Sequence, residues 1–391
     1  MTLRGREAWG PVLMMGLLQS ALVACLPWLI ERTELSAGVW SVIFSVGMLP
    51  VLLVAPWWGR LVDRQGARRI ARWATLLVLA GFALVLGVLL ADIQGGLAVA
   101  GLVLARLVHG LGAGGVFPAA QRLAVAGATT DRWSYRLSRL QMAVHAGRLA
   151  GPALVILAAW FQMMAVLVTA GLLALMLVLG QIRPSTTGEP PVSPAPVDKS
   201  GRLPWGDGWP LYIMALLVTC WVGALQFVLG PVLTGMAAVS AETGSSLTAA
   251  ALVLASLVGL VFGPLVHARC RGVVLMSIWG AALLVAGVVL GSADSIAGVY
   301  LGVGLLALGA AVLSPWYGSR LRQCQPGAQG EVAGRLTSIH TLGYIAGTLC
   351  GGWLLESMAQ SALTPFVLPA PALILLALLA GRVTDRGRTT G

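Results

Sequence analysis

Two long apolar stretches of this sequence each carry a small group of polar residues. Arg106 and His109 lie three positions apart in the first stretch, and Gln141, His145 and Arg148 follow one another in the second. Residues three or four positions apart share one face of a helix, so each stretch presents a polar stripe. A charge in hydrocarbon costs about 2.5 to 3.5 kcal/mol, so we expect both stripes to face a water-filled cavity.

The chemistry open to these side chains is anion binding and proton exchange. The chain has 14 acidic residues, and none falls in the middle of a predicted span. Two intramembrane guanidinium groups without carboxylate partners favour an anionic or carboxylate-bearing ligand. The alternative is that Arg106 and Arg148 bond to carbonyls and glutamines of neighbouring helices.

Proton transfer needs a group that titrates within the working pH range, and histidine is the usual one. His109 and His145 are candidates because each shares a face with an arginine. His340 is a third candidate, although a single histidine in a span is often only a packing residue. Glu31, at the membrane edge, is a fourth.

Composition predicts that lipid surrounds the elements that carry these residues. Of 391 residues, 58% are hydrophobic and 10% charged, whereas about a quarter are charged in soluble domains. We predict twelve apolar spans, each of about 20 to 25 residues and long enough to cross a bilayer. They lie near 10–31, 36–59, 71–91, 96–119, 138–160, 162–181, 209–233, 245–267, 273–291, 296–317, 333–355 and 362–381.

Arginines concentrate in alternate loops, which predicts that both termini are cytoplasmic. With the N-terminus inside, the opposite side of the membrane holds only Arg32, and acids such as Glu31 and Glu356 lie there instead. We call this arginine-poor side the outer end. The net charge of +11 therefore reflects membrane topology and not a nucleic-acid partner.

The chain contains an internal repeat. Gly59–Asp63 returns as Gly263–His267, and two further glycine patterns return in the same order at offsets near 200 residues. This predicts two six-helix bundles related by pseudo-symmetry, over 1–181 and 209–391, with a Pro- and Ser-rich cytoplasmic linker over 182–208.

Three motifs carry a family resemblance. The first is Gly-x-x-x-Asp-Arg-x-Gly-x-Arg-Arg, formed by Gly59, Asp63, Arg64, Gly66, Arg68 and Arg69. The second is Arg106 followed by Gly110, Gly112 and Gly114, and the third is Gly147-x-x-x-Gly151-Pro152. Through them the chain resembles the major facilitator superfamily over essentially its whole length, and it is most similar to the twelve-helix drug and metabolite proton antiporters. The third match is partial, because the trailing glycine pair of that signature falls on Val155 and Ile156.

The resemblance implies gating roles for the first and third motifs. Asp63 would accept hydrogen bonds at a helix end and pair with nearby arginines, as a latch on the cytoplasmic face. The alternative is that the loop is only a basic anchor. Gly147, Gly151 and Pro152 would bend a helix to shape the cavity and limit leak, the alternative being tight helix packing.

Further polar and aromatic residues are candidates for contact with a substrate: Gln19, Gln226, Trp221, Trp316 and Tyr344. The aromatic ones are equally compatible with packing.

The expected protein is an all-α membrane protein that works by alternating access. It would export a small organic molecule in exchange for protons, such as an anionic siderophore or an amphiphilic drug, across a bacterial inner membrane. The alternative is an importer or proton symporter of an organic anion. We expect a monomer in the bilayer with no enzymatic activity, cofactor or metal, because no nucleophile, phosphate loop or ligand spacing appears.

Overall fold

The computed structural model describes residues 3–126, 133–157, 161–179, 208–270, 272–324, 329–358 and 361–378. These residues are almost entirely helical. The helices are α1 Leu3–Ala24, α2 Leu26–Thr33, α3 Ala37–Val46, α4 Leu49–Gln65, α5 Ala67–Leu90, α6 Gly95–Val125, α7 Trp133–Ile156, α8 Met163–Leu179, α9 Trp209–Ala237, α10 Ala241–Arg269, α11 Gly272–Gly291, α12 Ile296–Cys324, α13 Gln329–Met358 and α14 Thr364–Leu378, whose first turn is a 3-10 helix. The all-α fold class is confirmed.

Two predicted spans are interrupted, only the first of them by a sharp bend. α1 and α2 meet at Cys25 with a bend of 62°, and Pro27 lies in the first turn of α2. α3 and α4 are separated by Gly47 and Met48, and Pro50 lies in the first turn of α4. Proline lacks an N–H and fits the first turn of a helix, which explains why each new helix begins there. With each broken pair counted once, the described residues form twelve helical segments at the predicted positions.

Length and composition support membrane insertion. Seven described helices are long and apolar enough to cross a bilayer, and the bent α1–α2 pair makes up to eight. Three shorter apolar stretches, in α7, α8 and α14, add to these. The twelve crossings and the cytoplasmic termini stay predictions, and the predicted linker lies outside the described residues except for Gly208.

Glycines hold the main helix pairs together. They lie where α7 packs on α1 and, in the second half, where α13 packs on α9: Gly147, Gly151, Gly343 and Gly347. A Cβ added at Gly147 would overlap the carbonyl of Leu13, and one added at Gly347 would overlap the carbonyl of Cys220. Lipid provides no hydrophobic drive for helix association. Close approach of the backbones, and the dispersion contacts that it allows, hold these helices together instead.

The basic segment 59–69, predicted as a compact turn between spans that end near 59 and begin near 71, is mostly helical. Helix α4 continues to Gln65 and α5 begins at Ala67, so Gly66 alone joins them. Gly66 has φ 88° and ψ 143°, a region that side chains essentially exclude. One glycine therefore reverses the chain.

We expect Gly66→Ala to lower the free energy of unfolding by about 1 to 3 kcal/mol, because the new side chain is strained at this φ and ψ. Thermal unfolding of the purified protein in detergent measures the effect. Gly59→Ala is the matched control, since a Cβ there meets nothing within 4 Å. Equal melting temperatures for the two variants would contradict the prediction.

Candidate functional site

The first candidate cluster lies inside the N-terminal half and comprises Arg106, His109 and Phe44. Arg106 and His109 project from α6 and are only 2% and 3% exposed. Nε and Nη1 of Arg106 have no hydrogen-bond partner among the described residues. Both ring nitrogens of His109 also lie outside hydrogen-bond geometry, although the backbone of Val78 is nearby.

Two features of α3 stabilise the guanidinium of Arg106. Its Cζ lies 5.0 Å from the ring centroid of Phe44, within the range of a cation–π interaction. Arg106 also packs against Gly47, the C-cap of α3, where an added Cβ would lie 2.9 Å from Nε. The C-terminal end of a helix carries partial negative charge, which favours a cation beside it.

The Arg106 cluster corrects one expectation. The sequence predicts that the polar stripe of α6 faces water, but Arg106 and His109 are buried against α3 and α5 in this conformation. Periodicity identified the shared face correctly, but it cannot tell whether that face meets a cavity or a neighbouring helix.

The second candidate cluster lies between the halves and comprises His145, Arg148, His340 and Tyr317. His145 and Arg148 are exposed on α7, in the middle part of the helix. That this stripe lines a water-filled cavity stays a prediction. Arg148 lies three positions after His145 on α7 and within electrostatic range of His340 on α13, in the other half. The structure therefore brings together residues almost 200 positions apart.

Tyr317 fixes the position of His340. The Tyr317 hydroxyl lies 2.7 Å from Nε2 of His340, and the two rings are 5.8 Å apart in an edge arrangement. The same hydroxyl donates to Oγ of Ser314 at 3.2 Å. Tyr317 is fully buried and contacts the imidazole of His340 on its buried side. The imidazole itself is half-buried, so part of it stays accessible.

The other predicted substrate residues are dispersed. Gln19, Gln226 and Tyr344 are half-buried on α1, α9 and α13. Trp221 and Trp316 are buried at 2% and 7% exposure. Trp316 packs against Trp279 and under Arg320, which matches the packing alternative in this conformation. The side chain of Gln141 lies outside the described residues.

The predicted gating residues fall into two groups. Arg64 and Arg69 are exposed at the basic end of α4 and α5, and Arg68 is half-buried there. The side chains of Asp63 and His267 lie outside the described residues, so the cytoplasmic latch stays a prediction. On α7, Gly147 and Gly151 make the close packing described above, and Pro152 lies inside the helix. Glu31, predicted as a proton carrier, is exposed at the outer end.

The halves touch along the outer end. The Trp28 backbone N–H donates to Oγ of Ser245 at 3.2 Å, joining α2 to α10. Oγ of Ser45 donates to the carbonyl of Ile345 at 3.4 Å, joining α3 to α13. The rings of Phe44 and Phe227 meet edge-on at 6.4 Å, so the same phenylalanine that stacks on Arg106 also contacts the second half.

Sequence reasoning missed Phe44 and Tyr317. A tyrosine inside a span has a hydroxyl that must find a partner, so Tyr317 was recognisable as polar, but its partner was not. In the sequence, Phe44 cannot be distinguished from other apolar core residues, because its contact with Arg106 depends on the fold.

The chain is similar to known proteins in sequence and in fold. The sequence profile of the Major Facilitator Superfamily matches residues 12–319. A bacterial homolog of the human lysosomal transporter Spinster, inward-facing and occupied, has a TM-score of 0.69 and 15% identity, over 99% of this chain and 96% of its own.

Two further solved structures illustrate the range of similar folds. The human organic anion transporter MFSD10 (TETRAN) gives a TM-score of 0.67 at 18% identity, covering 97% of this chain and 100% of its own. The inward-open xylose transporter XylE from E. coli gives 0.70 at 13% identity, covering 96% and 94%. No curated protein sequence matches significantly.

Phe44→Leu should destabilise the protein by about 1 to 2 kcal/mol beyond the loss of apolar contact, because Arg106 would lose its aromatic partner in a desolvated position. Phe44→Tyr keeps the ring over Arg106, so its cost should be only that of burying a hydroxyl at this position. Thermal unfolding in detergent measures both. Phe227→Leu is the matched control, since it removes the ring pair and leaves Phe44 beside Arg106. A Phe44→Leu effect no larger than that of Phe227→Leu would contradict the cation–π account.

Proposed function

Because this chain belongs to the Major Facilitator Superfamily, we propose that it exports a small organic anion in exchange for protons by alternating access. The cargo class is a carboxylate-bearing metabolite, such as a siderophore, or an amphiphilic drug with an acidic group. The cargo would bind between the halves, at the cluster of His145, Arg148, His340 and Tyr317. We place the transporter in a bacterial inner membrane, as a monomer with both termini in the cytoplasm.

The observation that carries the proposal is the position of Arg148. It is accessible in the middle part of α7, and its charge reaches His340 in the other half. The acidic residues with described side chains all lie at outer helix ends or in outer loops: Glu31, Glu34, Asp92, Glu242, Asp294 and Glu356. An arginine so placed would bind a carboxylate from the cargo.

His340 would complete the anion site from the opposite half. In its protonated form the imidazole would donate from Nδ1 to a bound carboxylate, and the hydrogen bond between Nε2 and Tyr317 limits how the ring can rotate. A cargo held by both halves would favour the conformation in which they are close, as alternating access requires. The human organic anion transporter among the structures above supports the idea that this fold accommodates organic anions.

Protons would act on the same cluster. His145 lies one turn from Arg148 on α7 and His340 lies within electrostatic range of it, so a bound anion and a proton on either histidine would change one another's affinity. An anion that offsets Arg148 makes protonation easier. Because a bound anion would raise the affinity for a proton, joint transport of anion and proton is favoured. Import or proton symport of an organic anion is therefore the second candidate function. His109 is a further candidate proton carrier, in a buried position beside Arg106.

Arg148→Gln should weaken the binding of small carboxylates about 10- to 100-fold, because it removes the charged donor. The probes are citrate, succinate and benzoate, with their amides as neutral counterparts, and the measurements are tryptophan quenching and the ligand-induced rise in melting temperature. Arg148→Lys should retain part of the affinity. Arg269→Gln, at an exposed position at the end of α10, is the control. Equal binding of acids and amides, or unchanged binding by Arg148→Gln, would refute the anion site.

Transport direction separates the two candidate functions. In inside-out vesicles with an acidic lumen, an exporter should accumulate a radiolabelled carboxylate that binds in the first assay, and an uncoupler should abolish the accumulation. Proton-driven uptake only into right-side-out vesicles would instead establish the importer or symporter. Arg148→Gln vesicles serve as the background in both orientations.

A further inference from the structure

We propose that Glu356 is an outer latch: its carboxylate, at the end of α13, binds the N-terminus of α3 in the opposite half and holds the outer end closed. Oε1 of Glu356 accepts a hydrogen bond from Oγ of Ser36 at 2.7 Å. The same oxygen accepts one from the backbone N–H of Gly38 at 3.0 Å. These contacts join residues about 320 positions apart.

The N-terminus of α3 is well suited to a carboxylate. Ser36 is the N-cap, and its hydroxyl oxygen accepts from the backbone N–H of Val39 at 3.3 Å while the hydroxyl donates to Glu356. The first N–H groups of a helix have no partner within the helix and carry partial positive charge. α3 has no acidic residue in its own first turn, so Glu356 supplies this negative charge from the other half.

Close packing of α13 on α3 beside the latch fixes where Glu356 meets the N-terminus of α3. A Cβ added at Gly38 would overlap the carboxylate of Glu356. One added at Gly352, a turn earlier on α13, would overlap Oγ of Ser41 on α3. The two helices can meet this closely only because glycine occupies both positions, and any separation of the halves at the outer end must break both hydrogen bonds to Glu356.

The latch is exposed, so its contribution is modest and suited to a reversible gate. Contacts on a second helix pair, α2 with α10, close the same end through Trp28 and Ser245. The amide of Trp28 lies in the first turn of α2, where it has no partner within the helix, so its protection depends on the opposite half. Hydrogen exchange at the Trp28 amide therefore reports opening at a site that Glu356 does not contact.

Hydrogen–deuterium exchange of the purified full-length protein, without added ligand, tests the latch. In Glu356→Ala, exchange should rise about two- to tenfold both at Gly38 and Val39 and at Trp28, because the whole outer end opens more often. Ser36→Ala should give a smaller rise at Gly38 and Trp28, since the Gly38 contact with Glu356 remains, whereas Val39 loses its own acceptor and should exchange faster. Asp294→Ala, an exposed acid in another outer loop of the second half, is the control and should change neither region.

A rise confined to Gly38 and Val39, with Trp28 unchanged, would reduce Glu356 to a local helix cap and overturn the proposal. Unchanged exchange at every amide would overturn it as well. If Glu356→Ala does not fold, Glu356→Gln removes the charge but keeps the shape and an accepting oxygen, so an intermediate rise at Trp28 is then the expected result. The experiment uses no cargo, so its failure would leave the anion-export proposal untouched.

Discussion

Close contact between helix backbones at glycine is the constraint on which the rest of this structure depends. In lipid, apolar side chains gain little by meeting one another, so helices associate where small residues let their backbones touch. Gly147 on α7 and Gly347 on α13 provide such contacts in equivalent places of the two halves. Because α7 is fixed on α1 by one face, the neighbouring positions His145 and Arg148 are turned away from that contact and stay accessible.

Helix α3 connects the outer end with the buried charge. It has only ten residues, and it receives a carboxylate from the second half at its N-terminus and faces Arg106 at its C-terminus. Both charges are favourable for the helix dipole. If α3 moves as a rigid unit when the outer end opens, Phe44 must shift relative to Arg106 or to Phe227.

Much of the fold was predictable from the sequence because span length, basic loops and glycine spacing are local or periodic signals. The residues of the Arg148 cluster on α7 were recognisable for the same reason. Other features depend on which helix lies opposite, and no local signal carries that information. The burial of Arg106 under Phe44 and the pairing of Glu356 with Ser36 are of this kind. The bend at Cys25 had a local signal in Pro27, but length alone favoured one continuous span.

The two halves make unequal contributions to the central cluster. α7 supplies a permanent cation, whereas α12 and α13 supply a phenol and an imidazole joined by a hydrogen bond. Arginine cannot release its proton at physiological pH, so Arg148 is suited to holding an anion and not to carrying a proton. Imidazole can do both. A change in the separation of the halves alters the distance between these two kinds of group, and therefore the mutual influence of anion and proton. In the proposed mechanism this asymmetry would give a physical basis for coupling, although no carboxylate with a described side chain lies near the middle of a predicted span.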